Sequence, residues 1–162
     1  FKYLQANYQK VLNRNKEVLN KLIYDSVIIK SNVVNKDEKE TGERKKLNFG
    51  HTIGHAIEKY YPEWLHGEAI SIGMVIAADI SAKRGYITNQ DAADIKALFT
   101  NFTLPVNAGF DKKKIIEGFR KDKKRENDYI SFILLKPIGN AIIEKVSLNE
   151  LEDLINDLCL PC

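Results

Sequence analysis

All three histidines of this 162-residue chain fall within one window of 16 residues, at His51, His55 and His66. Imidazole is the commonest transition-metal ligand and the side chain that moves protons most readily near neutral pH, so this gathering points to a site. His51 and His55 stand four apart, which on a helix projects both rings from one face, about 6 Å from each other. That spacing alone also suits structural histidines. His66 shifts the balance, because metal sites draw on two nearby ligands and one from a separate segment. The zinc-protease pattern HExxH is absent, since Thr52 stands at its glutamate position. Gly50, Gly54 and Gly67 flank the histidines and remove side-chain bulk, which suits close approach of a ligand or the packing of one helix on another.

The elements that must hold these rings are legible in the hydrophobic pattern. Residues 1 to about 35 carry apolar residues at helical spacing, from Tyr3, Leu4, Tyr8 and Val11 to Val18, Leu19, Leu22 and Ile23, then Val27, Ile28, Val33 and Val34. Two helices or one broken helix are expected there. The polar run 35–43 has no core face and reads as an exposed connection around Gly42. Residues 51–60 read as a short helix, and 67–84 as a helix apolar all round, hence central and buried, stopped at Gly85. Thr88 with Asp91, and Asp111 before Ile115 and Ile116, mark two further helix starts. Residues 129–135 and 141–146 are β-branched runs joined by Lys136-Pro137-Ile138-Gly139-Asn140, a hairpin signal. Ser147 with Glu150 forms a capping-box pattern for a last helix. The expected fold is mainly α, one helical domain over 1–162 carrying a small β-hairpin.

Composition narrows the class. With 44% hydrophobic residues, a single sizeable core is within reach. No run approaches the roughly 18 apolar residues of a membrane span, and the start lacks the layout of a secretory signal, so a soluble, cytoplasmic protein is expected. The chain does not begin with Met and opens directly in helical pattern, which reads as a piece of something longer. Cys159 and Cys162 have CxxC spacing but no second pair, and read as reduced thiols without a role. The net charge of +3 does not imply a polyanion binder, although 111–125 holds eight basic residues against three acidic ones. That stretch suits a solvated helix face or a site for small phosphate or carboxylate anions; no nucleic-acid motif accompanies it.

The run Arg44-Lys45-Lys46-Leu47-Asn48-Phe49-Gly50-His51-Thr52-Ile53-Gly54-His55-Ala56-Ile57-Glu58, followed by Leu65-His66-Gly67-Glu68-Ala69-Ile70 and Gly73-Met74, resembles the signature of the 3-dehydroquinate synthase family, within the sugar phosphate cyclases. The likeness extends from Lys30 to the Lys121-Asp122-Lys123-Lys124 segment and the hairpin, and concerns the family's C-terminal half. It implies a metal- and NAD-dependent carbon–oxygen lyase of the shikimate pathway. Such an enzyme oxidises a ring hydroxyl of a seven-carbon keto-acid sugar phosphate, 3-deoxy-D-arabino-heptulosonate 7-phosphate, with NAD+. It then eliminates phosphate, reduces the ketone and closes the ring to 3-dehydroquinate.

The resemblance also assigns residues. His51 and His66 match the family's zinc-binding histidines, cobalt being another fitting ion, and the family's third ligand is a glutamate upstream of this chain. His55 matches a substrate-side histidine suited to proton transfer or phosphate contact, which overrides the bare His51/His55 ligand pair. Lys30, placed among catalytic and substrate residues, and Arg44 match the family's substrate-binding cations, and the planar Arg44 fork suits a carboxylate. Asn48, on a face neighbouring His51 if the helix begins that early, matches a phosphate contact. Of Lys123 and Lys124, Lys124 is preferred as the phosphate-side lysine.

Two departures follow. The two histidines leave the zinc site one ligand short unless Glu58 or Glu68 substitutes. The chain also has no glycine-rich nucleotide turn, so NAD+ belongs to an N-terminal domain outside it. The chain alone is therefore expected to be catalytically inactive, and the full-length protein to be a homodimer. Alternative readings are another sugar phosphate cyclase, a polyol dehydrogenase of similar plan, or a non-catalytic helical module binding anions through 111–125. A metal phosphohydrolase of the HD type is disfavoured, because no His-Asp dipeptide occurs.

Overall fold

A computed structural model describes residues 1–107, 111–120 and 129–157 of the chain. It is mainly helical with one two-stranded antiparallel sheet, and it falls into two compact units, residues 1–48 and 49–162.

The first unit holds α1 (Lys2–Leu12), α2 (Lys16–Lys36) and a 3-10 segment (Glu43–Asn48). The break between the helices falls at Arg14, whose φ is 55°, and Asn15 restarts the chain by accepting the Val18 N–H on its side chain. Asp37 then organises the connection that the polar pattern suggested. Its Oδ1 accepts the Thr41 N–H, and its Oδ2 accepts the N–H groups of Gly42 and Arg44. These backbone donors, Arg44 first, hold the Asp37 carboxyl down at about 2. The apolar spacing on α2 does not translate into burial along its length: Val18 is buried, but Ile23, Tyr24, Val27 and Ile28 are exposed.

The second unit is built on α4 (His66–Lys83), of whose 18 residues eleven are buried, as its all-round apolar character requires. It ends in a Schellman motif. Gly85 takes φ 71°, its N–H reaches the Ala82 carbonyl, and the Tyr86 N–H reaches that of Ser81. Against α4 pack α3 (His51–Tyr60), α5 (Asn89–Asn101) and β1 (Tyr129–Leu135), which pairs with β2 (Ala141–Ser147), while α6 (Lys112–Arg120) packs on α3 and α7 (Leu148–Asp157) on α6 and β2. One core cluster joins Ile53, Ile57, Ile72, Ile76 and Ile80 to Phe132, Leu134 and Leu151. A smaller one sets Ala78 against Ile87, Ala92 and Ile95.

The predicted punctuation is realised. Thr88 and Asp91 exchange hydrogen bonds in a full capping box at the start of α5. The hairpin pairs Tyr129 with Ser147 through to Leu135 with Ala141, leaving the five residues 136–140 as its loop. At α7 only half of the box forms: Ser147 Oγ accepts the Glu150 N–H, while the Glu150 carboxylate pairs with Arg84 beyond the end of α4. Arg84 also pairs with Glu144, which accepts a hydrogen bond from the Tyr86 hydroxyl, so the end of α4 is tied to both β2 and α7.

Candidate metal centre

The helix α3 starts at His51 because Gly50 takes the left-handed conformation, φ 80°, that turns the chain out of the preceding 3-10 segment. Asn48 therefore lies in that segment and not on an early turn of α3, so it shares no helix face with His51. The other helix, α4, starts at His66. Its first turn is secured by Glu68, whose carboxylate reaches back to accept the Leu65 N–H at 2.9 Å.

Close packing brings these two helices together. A Cβ on Gly50 would stand 2.6 Å from Met74, and one on Gly54 would stand 2.5 Å from the Ile70 side chain. At these two positions helix packing is the reason for glycine. Gly67 has open space around its Cβ direction. Gly73 completes the seam from the α4 side, as its Cβ would run into the Gly50 carbonyl.

The three imidazoles consequently converge. Ring centroids are separated by 5.3 Å for His51 and His55, 5.7 Å for His51 and His66, and 6.1 Å for His55 and His66. Two imidazoles sharing one tetrahedral zinc, with Zn–N near 2.0–2.1 Å, hold their centroids about 5 Å apart, so all three spacings lie near what a shared ion needs. The donor set, imidazole with carboxylate nearby, suits zinc or cobalt better than a hard oxygen-seeking ion.

Ring partners sort the nitrogens. His51 Nδ1 lies 3.2 Å from the Phe49 carbonyl oxygen, and His66 Nδ1 lies 2.9 Å from Glu58 Oε1. A ring that donates from Nδ1 to an oxygen keeps Nε2 as its lone-pair nitrogen, the usual arrangement of metal-ligating histidines. Among the described residues, His55, Glu58 and His66 also form a group whose ligand atoms lie within 4.8 Å of one another. His55 and His66 are exposed and Glu58 is half-buried. Glu68, engaged at the Leu65 N–H, is absent from that group, and so is His51, the ligand that the family resemblance implied.

The remaining predicted residues are placed as follows. Lys30 is exposed on α2 of the first unit. Arg44 and Asn48 lie in the 3-10 segment of that unit. Arg44 Nη1 donates to the Glu38 carbonyl at 2.8 Å, and Asn48 Nδ2 donates to Glu40 Oε1 at 2.8 Å. Lys124, like Lys121, Lys123, Cys159 and Cys162, lies outside the described residues. The described part of the basic stretch, α6, exposes Lys113 and Lys114, and the Lys114 ammonium stands 5.8 Å from the centre of the Tyr61 ring. Tyr61 in turn accepts the Asp111 N–H on its hydroxyl.

The contact between Glu58 and His66 is more than the sequence reading made of Glu58. The available signal is its place on α3, three residues after His55 and seven after His51, which puts it on the histidine face of the helix.

The described helices thus bring three imidazoles from two adjoining helices within 6.1 Å of one another, ring centre to ring centre. The family model of the 3-dehydroquinate synthase C-terminal part matches residues 1–125, and the chain belongs to that family. A 3-dehydroquinate synthase of Acinetobacter baumannii strain AYE is 41% identical over 146 residues, covering 88% of this chain and 41% of that protein. One from Thermodesulfovibrio yellowstonii is 38% identical, covering 97% of this chain and 45% of its own length. The chain thus spans less than half the length of these relatives.

Among solved structures, 2-epi-5-epi-valiolone synthase from Streptomyces hygroscopicus, with NAD+ and Zn2+ bound, superimposes with a TM-score of 0.83 at 19% identity, over 96% of this chain and 44% of that one. A 2-deoxy-scyllo-inosose synthase with carbaglucose-6-phosphate, NAD+ and Co2+ gives 0.63 at 26% identity, over 72% of this chain and 35% of that one. Among the described residues no helix is long and apolar enough to cross a membrane.

Proposed function

We propose that this chain is the metal- and substrate-binding part of a 3-dehydroquinate synthase, which converts 3-deoxy-D-arabino-heptulosonate 7-phosphate to 3-dehydroquinate and phosphate. The observation that carries the reading is the convergence of His51, His55 and His66 at centroid spacings of 5.3–6.1 Å within the signature segment. Zinc or cobalt would be held by His51 and His66, with a third ligand from the portion of the relatives that this chain does not match. NAD+ is bound in that same portion. The ion, when bound, supplies Lewis acidity to the hydroxyl being oxidised.

The chain's own residues do the rest. His55, beside the ligand pair but not part of it, holds or accepts a proton at the substrate. Lys30 and Arg44 take the substrate carboxylate and neighbouring oxygens, the Arg44 fork matching a carboxylate in plane. Asn48 and Lys124 take phosphate oxygens. Within this reading residues 1–162 act as one helical domain, the full-length protein is a cytoplasmic homodimer, and the isolated chain turns over no substrate.

The test is zinc calorimetry on the chain alone and after addition of the complementary N-terminal half of a full-length relative, with His51→Ala and His66→Ala as controls. Phosphate release from the heptulosonate phosphate is followed in parallel. Tight zinc binding and turnover only in the reconstituted pair, both lost in the two variants, are the expected results. Turnover by the chain alone, or zinc binding indifferent to His66, overturns the reading.

A further inference from the structure

Glu58 and His66 are brought together from different helices. His66 is the first residue of α4 and its side chain is 59% exposed, so the protein interior does not set the ring's orientation. One contact does. Its Nδ1 lies 2.9 Å from Glu58 Oε1, and Glu58 stands on the last turns of α3, whose packing on α4 is fixed by the glycine seam.

We propose that Glu58 is the positioning residue for His66. Its carboxylate accepts the Nδ1–H bond, selects the Nδ1-protonated tautomer, and leaves Nε2 as the only nitrogen with a lone pair for an ion. An unrestrained neutral imidazole has two tautomers to choose between and can rotate about its side-chain bonds. A carboxylate on Nδ1 removes both freedoms and makes the ring more basic toward a cation. His51 has the equivalent arrangement with the Phe49 carbonyl oxygen on Nδ1. The two rings are therefore set by different devices, a backbone carbonyl within the same helix start and a carboxylate from the neighbouring helix.

The competing role for Glu58 is direct ligation. Its carboxylate belongs to the group with His55 and His66 whose ligand atoms lie within 4.8 Å. The hydrogen bond decides between them. An Oε1 held at 2.9 Å by the Nδ1–H of His66 acts on the side of the ring away from Nε2, where an ion would bind. Glu68 offers no alternative partner, because it is engaged at the Leu65 N–H.

The inference rests on the proposed reading of His66 as a metal ligand, and the experiment separates the two. Long-range proton–nitrogen correlation spectra of the metal-free chain, at a pH where imidazole is neutral, report the tautomer of each histidine. His66 is expected as the Nδ1–H form in the wild type and in Glu58→Gln, whose amide oxygen accepts the same bond. It is expected to revert to the Nε2–H form of free imidazole in Glu58→Ala, with His51 unchanged.

Zinc titration of the reconstituted pair should then show affinity lowered about 10–100-fold in Glu58→Ala, the usual loss for an outer-shell partner, and largely restored in Glu58→Gln. A His66 tautomer that is the same in Glu58→Ala as in the wild type overturns the role of Glu58. So does a Glu58→Gln variant as damaging to zinc binding as Glu58→Ala, which marks a direct ligand. Zinc affinity unchanged in His66→Ala instead overturns the ligand reading of His66 itself.

Discussion

The Gly50 carbonyl oxygen occupies the space that a Cβ on Gly73 would need: a Cβ there would stand 2.1 Å from that oxygen and 2.9 Å from the Gly54 amide nitrogen. Both obstacles are backbone, so nothing can rotate aside. The absence of one side chain on α4 is what lets α3 lie against it, and with α3 come His51 and His55 beside His66.

Gly73→Ala should therefore force the helices apart. The expected loss is about 1–3 kcal/mol, the usual cost of overpacking a tight interior, seen as a lower melting temperature. Zinc affinity should fall with it, because the rings separate. Gly67→Ala is the control. Its Cβ meets nothing within 4 Å, and alanine is a better helix former than glycine by up to about 1 kcal/mol, so stability should hold or rise. Thermal melts of the two variants side by side check both statements.

Ser81 looks in the sequence like one more small residue on an apolar helix, yet it ties the hairpin to α4. Its buried Oγ donates to the Ala77 carbonyl at 2.7 Å and accepts the Leu135 N–H at 3.0 Å. Ser81→Ala leaves that strand amide without its partner, at a cost of about 1–3 kcal/mol. Denaturant unfolding should show the loss, and hydrogen exchange should show Leu135 losing protection first.

The second unit is largely legible from its punctuation and its hydrophobic pattern, because each signal there is local. Gly85 stops α4, Thr88 with Asp91 starts α5, and the apolar runs either side of Pro137 and Gly139 pair as a hairpin. What stays hidden depends on partners distant in sequence. Glu150 fits a capping box by spacing, but Arg84, 66 residues away, takes its carboxylate. Glu58 reads in the sequence as a candidate substitute metal ligand, and its hydrogen bond to His66 shows only once α4 packs on α3. In α2 the pattern misleads in the other direction, since helical spacing of Ile23, Val27 and Ile28 promises burial and the side chains are exposed. Periodicity reports which face is apolar and is silent on whether anything covers it. The three histidines are legible as a cluster from their numbering alone, and the likeness of residues 44–58, 65–70 and 73–74 to a known signature implies the separate roles proposed for them.

The loop closed by Asp37 should open in acid. Its carboxyl sits at about 2 in the folded chain, below the ordinary aspartate value, because three backbone N–H groups point at it. A group depressed on folding stabilises fully above its unfolded value, about 3.9, and loses that contribution as pH falls toward its folded value. Amide exchange at Gly42 and Arg44 should therefore be slow at pH 5 and accelerate between pH 4 and pH 2, beyond the intrinsic dependence. Asp37→Asn places an amide NH2 or a single acceptor before the same donors, so both amides should already exchange faster at pH 5, with the acid step gone.

Zinc binding by single-histidine variants distinguishes the two ways in which the site can hold an ion. Both use His66. One adds His51, whose Nδ1 is engaged by the Phe49 carbonyl and whose Nε2 is left for the ion. The other adds His55 and Glu58, whose ligand atoms already lie within 4.8 Å of those of His66. With His51 as ligand, His51→Ala and His66→Ala should each lower zinc affinity by more than the roughly 10–100-fold that loss of an outer-shell partner costs. His55→Ala should then change affinity little, and abolish turnover in the reconstituted enzyme by removing a proton carrier. The reverse ranking, with His55→Ala costing more zinc affinity than His51→Ala, would place the ion on the His55, Glu58 and His66 group, complete within this chain.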